Sequence, residues 1–312
     1  MRFFIYLTMK QKDNLNTIRQ YLPFSIKAAA DKFPSELQEI RLRVNKPIVL
    51  HIPDRVFYIS NNLSLSNKFT KNLVALSQSE LSETFTSMCS YSVYSKQNEI
   101  INGYITLKGG NRAGICGTAV VQNGRIINIR DITSINIRLC FEREGSGDEL
   151  LSHIEDVSGG VLLCGAPCSG KTTILRDIAR QLSYRYKISL IDCRSELAAV
   201  YGGIPQNDIG MCDVLNSYTK HDGFEQAVRC LSPEIIICDE IGGYDDAQSV
   251  LNARKSGVSV IASAHCRGKN VLCEKQYLKS LVKTRCFETI VFLGSGRNVG
   301  TIEEIIKSDE LF

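Results

Sequence analysis

Hydrophobic positions fall into two regimes along the chain. From Val161 onward, apolar runs at 161–164, 188–191, 235–238, 258–262 and 289–293 are continuous enough to be buried on both faces. Between them, 174–182 and 247–255 space their apolar residues at a helical period. Buried parallel strands joined by crossover helices predict an α/β sheet. Up to about residue 140 the pattern is mixed. Residues 71–90 (Leu73, Leu76, Leu81, Phe85, Met88) have helical spacing, and 104–107, 119–121 and 126–129 read as strands. Turns between those strands are supplied by Gly109-Gly110, Gly114, Gly117 and Asn123-Gly124. The hydrophilic stretch 142–148 interrupts the apolar pattern and reads as a hinge. The expected organisation is an α+β amino-terminal domain over 1–141, a hinge over 142–150 and an α/β domain over 151–312.

Composition adds little to this division. Across 312 residues, 37 Lys and Arg against 33 Asp and Glu leave a net charge of +4, with 44% hydrophobic residues, enough for two cores. The excess is unevenly placed: residues 1–150 carry 19 basic and 13 acidic side chains, and 151–312 carry 18 and 20. That excess is too sparse for a dedicated nucleic-acid binder, and with no Trp and scattered Tyr and Phe there is no evident platform for stacking bases. The opening residues 1–9 are apolar over too short a distance for a signal peptide or a membrane span, so a cytosolic, reducing setting is expected. Twelve cysteines without a single Cys-x-x-Cys are then expected to serve mostly as small buried hydrophobes rather than as zinc ligands.

The candidate chemistry lies in the second half. Gly165-Ala166-Pro167-Cys168-Ser169-Gly170-Lys171-Thr172 matches G-x-x-x-x-G-K-[ST] and sits between an apolar run and a helical pattern, where a phosphate-binding loop must lie. Its glycines let successive N–H groups converge on phosphate, with the positive end of the following helix beneath them. Lys171 is expected to neutralise the β and γ phosphates and Thr172 to ligate Mg²⁺, with Thr173 a neighbour of unassigned role. The run at 235–238 ends in Asp239-Glu240. Asp239 is placed to hold the metal through water and Glu240 to orient or deprotonate the attacking water. Together these predict a RecA-like P-loop NTPase domain with a parallel central sheet, hydrolysing a nucleoside triphosphate with Mg²⁺. Asp192 and Glu196, after the second run, and His265, after the fourth, should also reach the nucleotide, because ligands bind beyond the carboxyl ends of parallel strands. Asp192 and Ser195 could instead cap a helix. Arg229 is a candidate phosphate contact, or an arginine on a solvated helix face.

Several of these segments, in this order, resemble the stage III sporulation protein AA family. They are Glu39-Ile-Arg-Leu-Arg43, residues 107–117 (Leu-Lys-Gly-Gly-Asn-Arg-Ala-Gly-Ile-Cys-Gly), Ile135-Asn-Ile-Arg138, the phosphate loop, residues 203–208 (Gly-Ile-Pro-Gln-Asn-Asp), Ile237-Cys-Asp-Glu-Ile241 and Ala264-His265. The resemblance implies kinship with the hexameric ATPases of type II and type IV secretion. It further implies a cytoplasmic mother-cell protein, peripheral at the membrane, that assembles with itself as a hexamer and with membrane proteins of the stage III channel complex, and that has no nucleic-acid partner. It assigns Asp192, Arg194 and Glu196 to an acidic box, with Glu196, Glu240 and Lys171 as catalytic residues, and His265 to a histidine box. Arg138 becomes a phosphate contact offered from a neighbouring subunit. Ala166 and Cys168 stand where the family usually has Pro and Gly, and Cys193 where it has Glu. A Cβ at Cys168 restricts the loop if that position needs a positive φ. Two other readings share these features: a nucleotide switch with little turnover, and a RecA-type nucleic-acid motor.

Overall fold

The computed structural model describes residues 15–154 and 156–311; the apolar opening at 1–9 lies outside them. Two units form, Met1–Phe141 with Tyr201–Gln206, and Glu142–Val200 with Asn207–Phe312. Among the described residues no helix is long and apolar enough to cross a membrane.

In the first unit, seven strands form one antiparallel sheet: β1 (Glu39–Arg43), β2 (Val49–Ile52), β3 (Arg55–Ile59), β4 (Leu65–Ser66), β5 (Tyr104–Thr106), β6 (Arg112–Gln122) and β7 (Arg125–Arg138), in the order β4-β3-β2-β1-β7-β6-β5. The two short strands expected at 119–121 and 126–129 are the tip of one long hairpin, β6–β7. It closes on Asn123-Gly124, both at positive φ as the tight turn requires. Helix α1 (Gln78–Met88) is shorter than the 71–90 periodicity suggests. Ser77 and Glu80 form a capping box that fixes its start, and Leu73 and Leu76 instead make isolated bridges to Ser60 and Val44. One face of the sheet is core, with Ile40, Leu42, Ala113, Ile135 and Ile137 buried. On the other, register sets Glu39, Arg138 and Arg112 in one row and Arg41, Asn136 and Gly114 in the next. The resembling segments at 39–43, 107–117 and 135–138 thus share one arginine-rich face. Glu39 there pairs with both Arg41 (3.0 Å) and Arg138 (3.0 Å), and Arg112 lies 3.7 Å over the Tyr104 ring.

The second unit is built on β8 (Val161–Gly165), β9 (Ile188–Asp192), β10 (Asp213–Asn216), β11 (Ile235–Cys238), β12 (Ser259–His265), β13 (Thr289–Leu293) and β14 (Ile302–Lys307), in the order β10-β9-β11-β12-β8-β13-β14. All pairings are parallel except β13–β14. The five expected runs are the five inner strands. Edge strands β10 and β14 escape a hydrophobic reading because they are only partly buried and carry charge. Leu162 and Cys164 point into one core layer and Val161 and Leu163 into the other, which is why these runs are apolar without alternation. Helices α2 (Lys171–Leu182), α3 (Lys220–Gln226), α4 (Tyr244–Lys255) and α5 (Gln276–Lys283) cover the faces. All twelve cysteines are free thiols. Five, Cys89, Cys164, Cys238, Cys266 and Cys286, are buried, acting as small apolar side chains, while Cys116, Cys168 and Cys230 are exposed.

Candidate nucleotide site

The loop between β8 and α2 is shaped by positions that tolerate little alternative. A Cβ on Gly165 would collide with the Ser169 hydroxyl, and Gly170 caps α2 at φ +93°, with Gly300 packed 3.2 Å from where its Cβ would lie. Cys168 sits at φ +61°, so the position occupied by this cysteine is one that glycine adopts without strain. Ala166 is buried, while Pro167 and Cys168 are exposed and Thr173 is half-buried on α2. The Ser169 hydroxyl is buried and has no hydrogen-bond partner among the described residues.

Lys171 reaches back into this loop. Its Nζ donates to the carbonyls of Gly165 (3.1 Å) and Ala166 (2.7 Å) and lies 3.2 Å from His265 Nδ1. Burial pushes its pKa down, an effect opposed by the nearby Asp239 and Glu240 carboxylates. An ammonium only donates, so Nδ1 accepts and the imidazole proton sits on Nε2, which faces Glu240 Oε1 at 3.4 Å. The ends of three adjacent strands therefore meet. Thr172 Oγ1 donates to Asp239 Oδ2 (3.1 Å), and Ser263 Oγ donates to Asp239 Oδ1 (2.7 Å). The Glu240 N–H donates to both Asp239 Oδ1 (2.9 Å) and Ser263 Oγ (3.1 Å). The Glu240 carboxylate accepts from Arg194 at 2.9 Å.

This donor set fits a magnesium nucleotide: a threonine hydroxyl and a carboxylate, both hard oxygen donors, lie 3.1 Å apart, and an orphaned buried hydroxyl and the Lys171 ammonium line the phosphate loop.

Other expected site residues are placed differently. Asp192 is buried, and its carboxylate is taken up by the chain that follows it. Its oxygens accept the backbone N–H groups of Glu196 (2.8 Å), Ala198 (2.8 Å) and Ala199 (3.3 Å), so it fastens the loop after β9. Burial pushes its pKa up, opposed by those amides. Asp192→Ala is expected to destabilise the protein by about 2–4 kcal/mol, since several buried amides lose their acceptor. Chemical denaturation of the two proteins measures it, and an unchanged midpoint would refute the capping role. Glu196 is held through its backbone, N–H to Asp192 and carbonyl to Arg176 (2.8 Å), while Arg194 is the member of that box whose side chain reaches Glu240. Arg229 does not join the cluster. It pairs with Glu225 (2.9 Å) and lines a groove with Asn252 and Ser256. Those residues precede β11 and β12, at the opposite end of the sheet from the phosphate loop. Arg138 belongs to the first unit, paired with Glu39. Ser263, two residues before His265 and just past the fourth apolar run, is brought with it to Asp239 and Glu240, where groups beyond the strand ends are expected to meet.

Residues 10–310 match the model of the family described as "Sporulation stage III, protein AA". Stage III sporulation protein AA of Bacillus subtilis (strain 168) is 35% identical over 307 residues, covering 95% of this chain and 96% of that protein. Among solved structures, the Legionella pneumophila ATPase DotB superposes with a TM-score of 0.52 at 19% identity, over 82% of this chain and 72% of that one. The pilus retraction motor PilT, solved with bound ADP, gives 0.53 at 17% identity, over 82% and 74%. Those two likenesses establish the RecA-like P-loop fold.

Proposed function

The chain belongs to the stage III sporulation protein AA family, and from that premise we propose that it is a Mg²⁺-dependent ATPase working as a homo-hexameric ring. In this reading it is cytoplasmic, sits peripherally at the mother-cell membrane, and energises the channel complex between mother cell and forespore during endospore formation. The observation that carries the enzymatic part is the meeting of Lys171, Thr172, Asp239, Glu240 and His265 at the ends of β8, β11 and β12.

Lys171 exchanges its two carbonyl acceptors for the β and γ phosphates, while the N–H groups of Cys168, Ser169, Gly170 and Lys171 cradle them. Thr172, and Asp239 through water, would hold magnesium, which would supply charge neutralisation at the phosphates. Glu240 takes up or orients the attacking water's proton, and His265 reports the γ-phosphate to Glu240 through its two ring nitrogens. Arg138, on the arginine-rich face of the first unit, is the phosphate contact offered by a neighbouring subunit, with 142–150 as the hinge for movement of 1–141 against 151–312. Of the sequence candidates, Glu196 is left a supporting rather than a proton-handling part, because Glu240 has the position next to the metal-binding pair.

Phosphate release from ATP, measured with magnesium and with chelator in a sample sized by light scattering, tests this reading. Hydrolysis that requires magnesium and accompanies a particle several subunits in size is expected. Binding of ATP without any release would mean a nucleotide switch, and stimulation only by single-stranded nucleic acid would mean a nucleic-acid motor.

A further inference from the structure

We infer that Lys220 is a positioning residue for hydrolysis: its ammonium, anchored by Asp246, grips the main-chain carbonyl of Glu240 and so fixes the direction of the Glu240 carboxylate. The inference rests on the ATPase reading above and adds a residue that no motif contains.

Glu240 stands at φ +28°, in a region that a residue with a side chain rarely occupies and keeps only when its surroundings over-determine it. The N–H groups of residues 240–242 are all tied. That of Glu240 goes to Asp239 and Ser263, the next N–H, of Ile241, goes to the Ser263 carbonyl at 2.7 Å, and the Gly242 N–H goes to Asp246 Oδ2 at 2.8 Å. The Glu240 carbonyl accepts from Lys220 Nζ, which also donates to Asp246 Oδ2 at 2.8 Å. Asp246 therefore holds both the lysine and the peptide two residues beyond the glutamate.

Position on its own helix does not account for this lysine. Lys220 is the first residue of α3, where the positive end of the helix disfavours a cation, and its side chain is only 16% exposed. Burial lowers its pKa, but the Asp246 hydrogen bond and charge outweigh that and hold it above its ordinary value, so the ammonium stays charged where it sits. Asp246, in the first turn of α4, is by contrast on the favourable end of its helix. What the awkward placement achieves is a rigid main chain on the far side of Glu240 from its carboxylate, which Arg194 and His265 hold at the other end. Angular freedom at a proton-handling carboxylate is costly to rate and nearly neutral to substrate binding, because nucleotide is held elsewhere, by the phosphate loop.

The test compares full-length wild type, Lys220→Met and Lys220→Arg for kcat, KM, affinity for a fluorescent ATP analogue, and thermal midpoint. Lys220→Met is expected to lower kcat on the order of 10- to 100-fold while KM and nucleotide affinity change by less than about threefold, and Lys220→Arg to recover most of the loss. Asp246→Asn, which frees the ammonium without removing it, is expected to lower kcat in the same selective way. Wild-type kcat in Lys220→Met would overturn the inference and leave the ATPase reading standing. So would a loss shared equally by Met and Arg variants together with a lowered midpoint, which would make Lys220 a folding residue. A wild type that binds the analogue but releases no phosphate would overturn the ATPase reading and this inference with it.

Discussion

Lys171→Ala is expected to lower ATP turnover by at least about a hundredfold and to weaken nucleotide binding at the same time. The two effects come together because the ammonium acts on charge already present in bound ATP and on charge that shifts as the γ-phosphoryl group leaves. In the structure Nζ rests on the Gly165 and Ala166 carbonyls, both inside the loop that a triphosphate would enter. Those acceptors are the weakest type to give up, since a carbonyl that loses one donor retains another lone pair for water. Burial also lowers the Lys171 pKa, so the charge is held there against its solvation preference and gains when phosphate arrives. Alanine removes that gain without removing much that holds the fold. The variant should therefore melt close to wild type, and a fluorescent nucleotide titration beside a phosphate-release assay should register both losses. Undiminished turnover in Lys171→Ala would end the assignment of the loop as a catalytic phosphate site.

The residues that a sequence exposes most readily are those constrained by chain geometry over a few positions. The five inner strands of the second unit are legible because a strand buried on both faces is apolar at most of its positions, with few polar residues between. The phosphate loop is legible because its glycines, its lysine and the flanking strand and helix lie within one short segment. A local signal was also available, but outweighed, at α1: the capping pair Ser77 and Glu80 marks the start that the spacing of Leu73 and Leu76 obscures. Long-range partnerships behave differently. Arg194, Ser263 and Lys220 converge on Glu240 from three separate segments, and nothing in the neighbourhood of Lys220 along the chain distinguishes it from a solvated helix lysine. Arg229 illustrates the reverse error. It lies ten residues before Asp239, yet a strand carries the chain from one end of the sheet to the other between them, so closeness in sequence becomes separation in space. Asp192 lies at the correct end of its strand, but its oxygens are spent on the loop that follows.

Cys168 is the place where this chain's own substitution meets the geometry. At φ +61° a side chain costs about 1–2 kcal/mol relative to the right-handed region, so the loop carries strain that a glycine there would avoid. That strain lies in the candidate phosphate loop and is separate from the strain at Glu240, which itself stands at φ +28°, so the cysteine bears on how readily the loop forms.

Glu240→Gln is expected to separate binding from hydrolysis. Turnover should fall by about 100- to 10,000-fold, with nucleotide affinity unchanged or higher. The amide keeps the size of the side chain and can still meet Arg194 through its oxygen, so the strained main chain, tied by Ser263, Lys220 and Asp246, has no reason to relax. What disappears is the capacity to accept a proton from water. His265 Nε2–H, now 3.4 Å from a carboxylate oxygen, faces an amide instead, which leaves the contact between Lys171 and Nδ1 intact. Phosphate binding through Lys171, Thr172 and the loop amides is therefore preserved, and removing a negative charge from beside the γ-phosphate favours the bound triphosphate. The expected pattern is slow single-turnover hydrolysis with normal titration by a fluorescent ATP analogue, and ATP retained on the protein after gel filtration with magnesium. Glu240→Asp, which keeps the charge but withdraws it by one methylene, should fall between the two. Were Glu240→Gln to hydrolyse within about threefold of wild type, the proton would have to pass through another carboxylate, and Glu196→Gln would then be the variant to lose turnover.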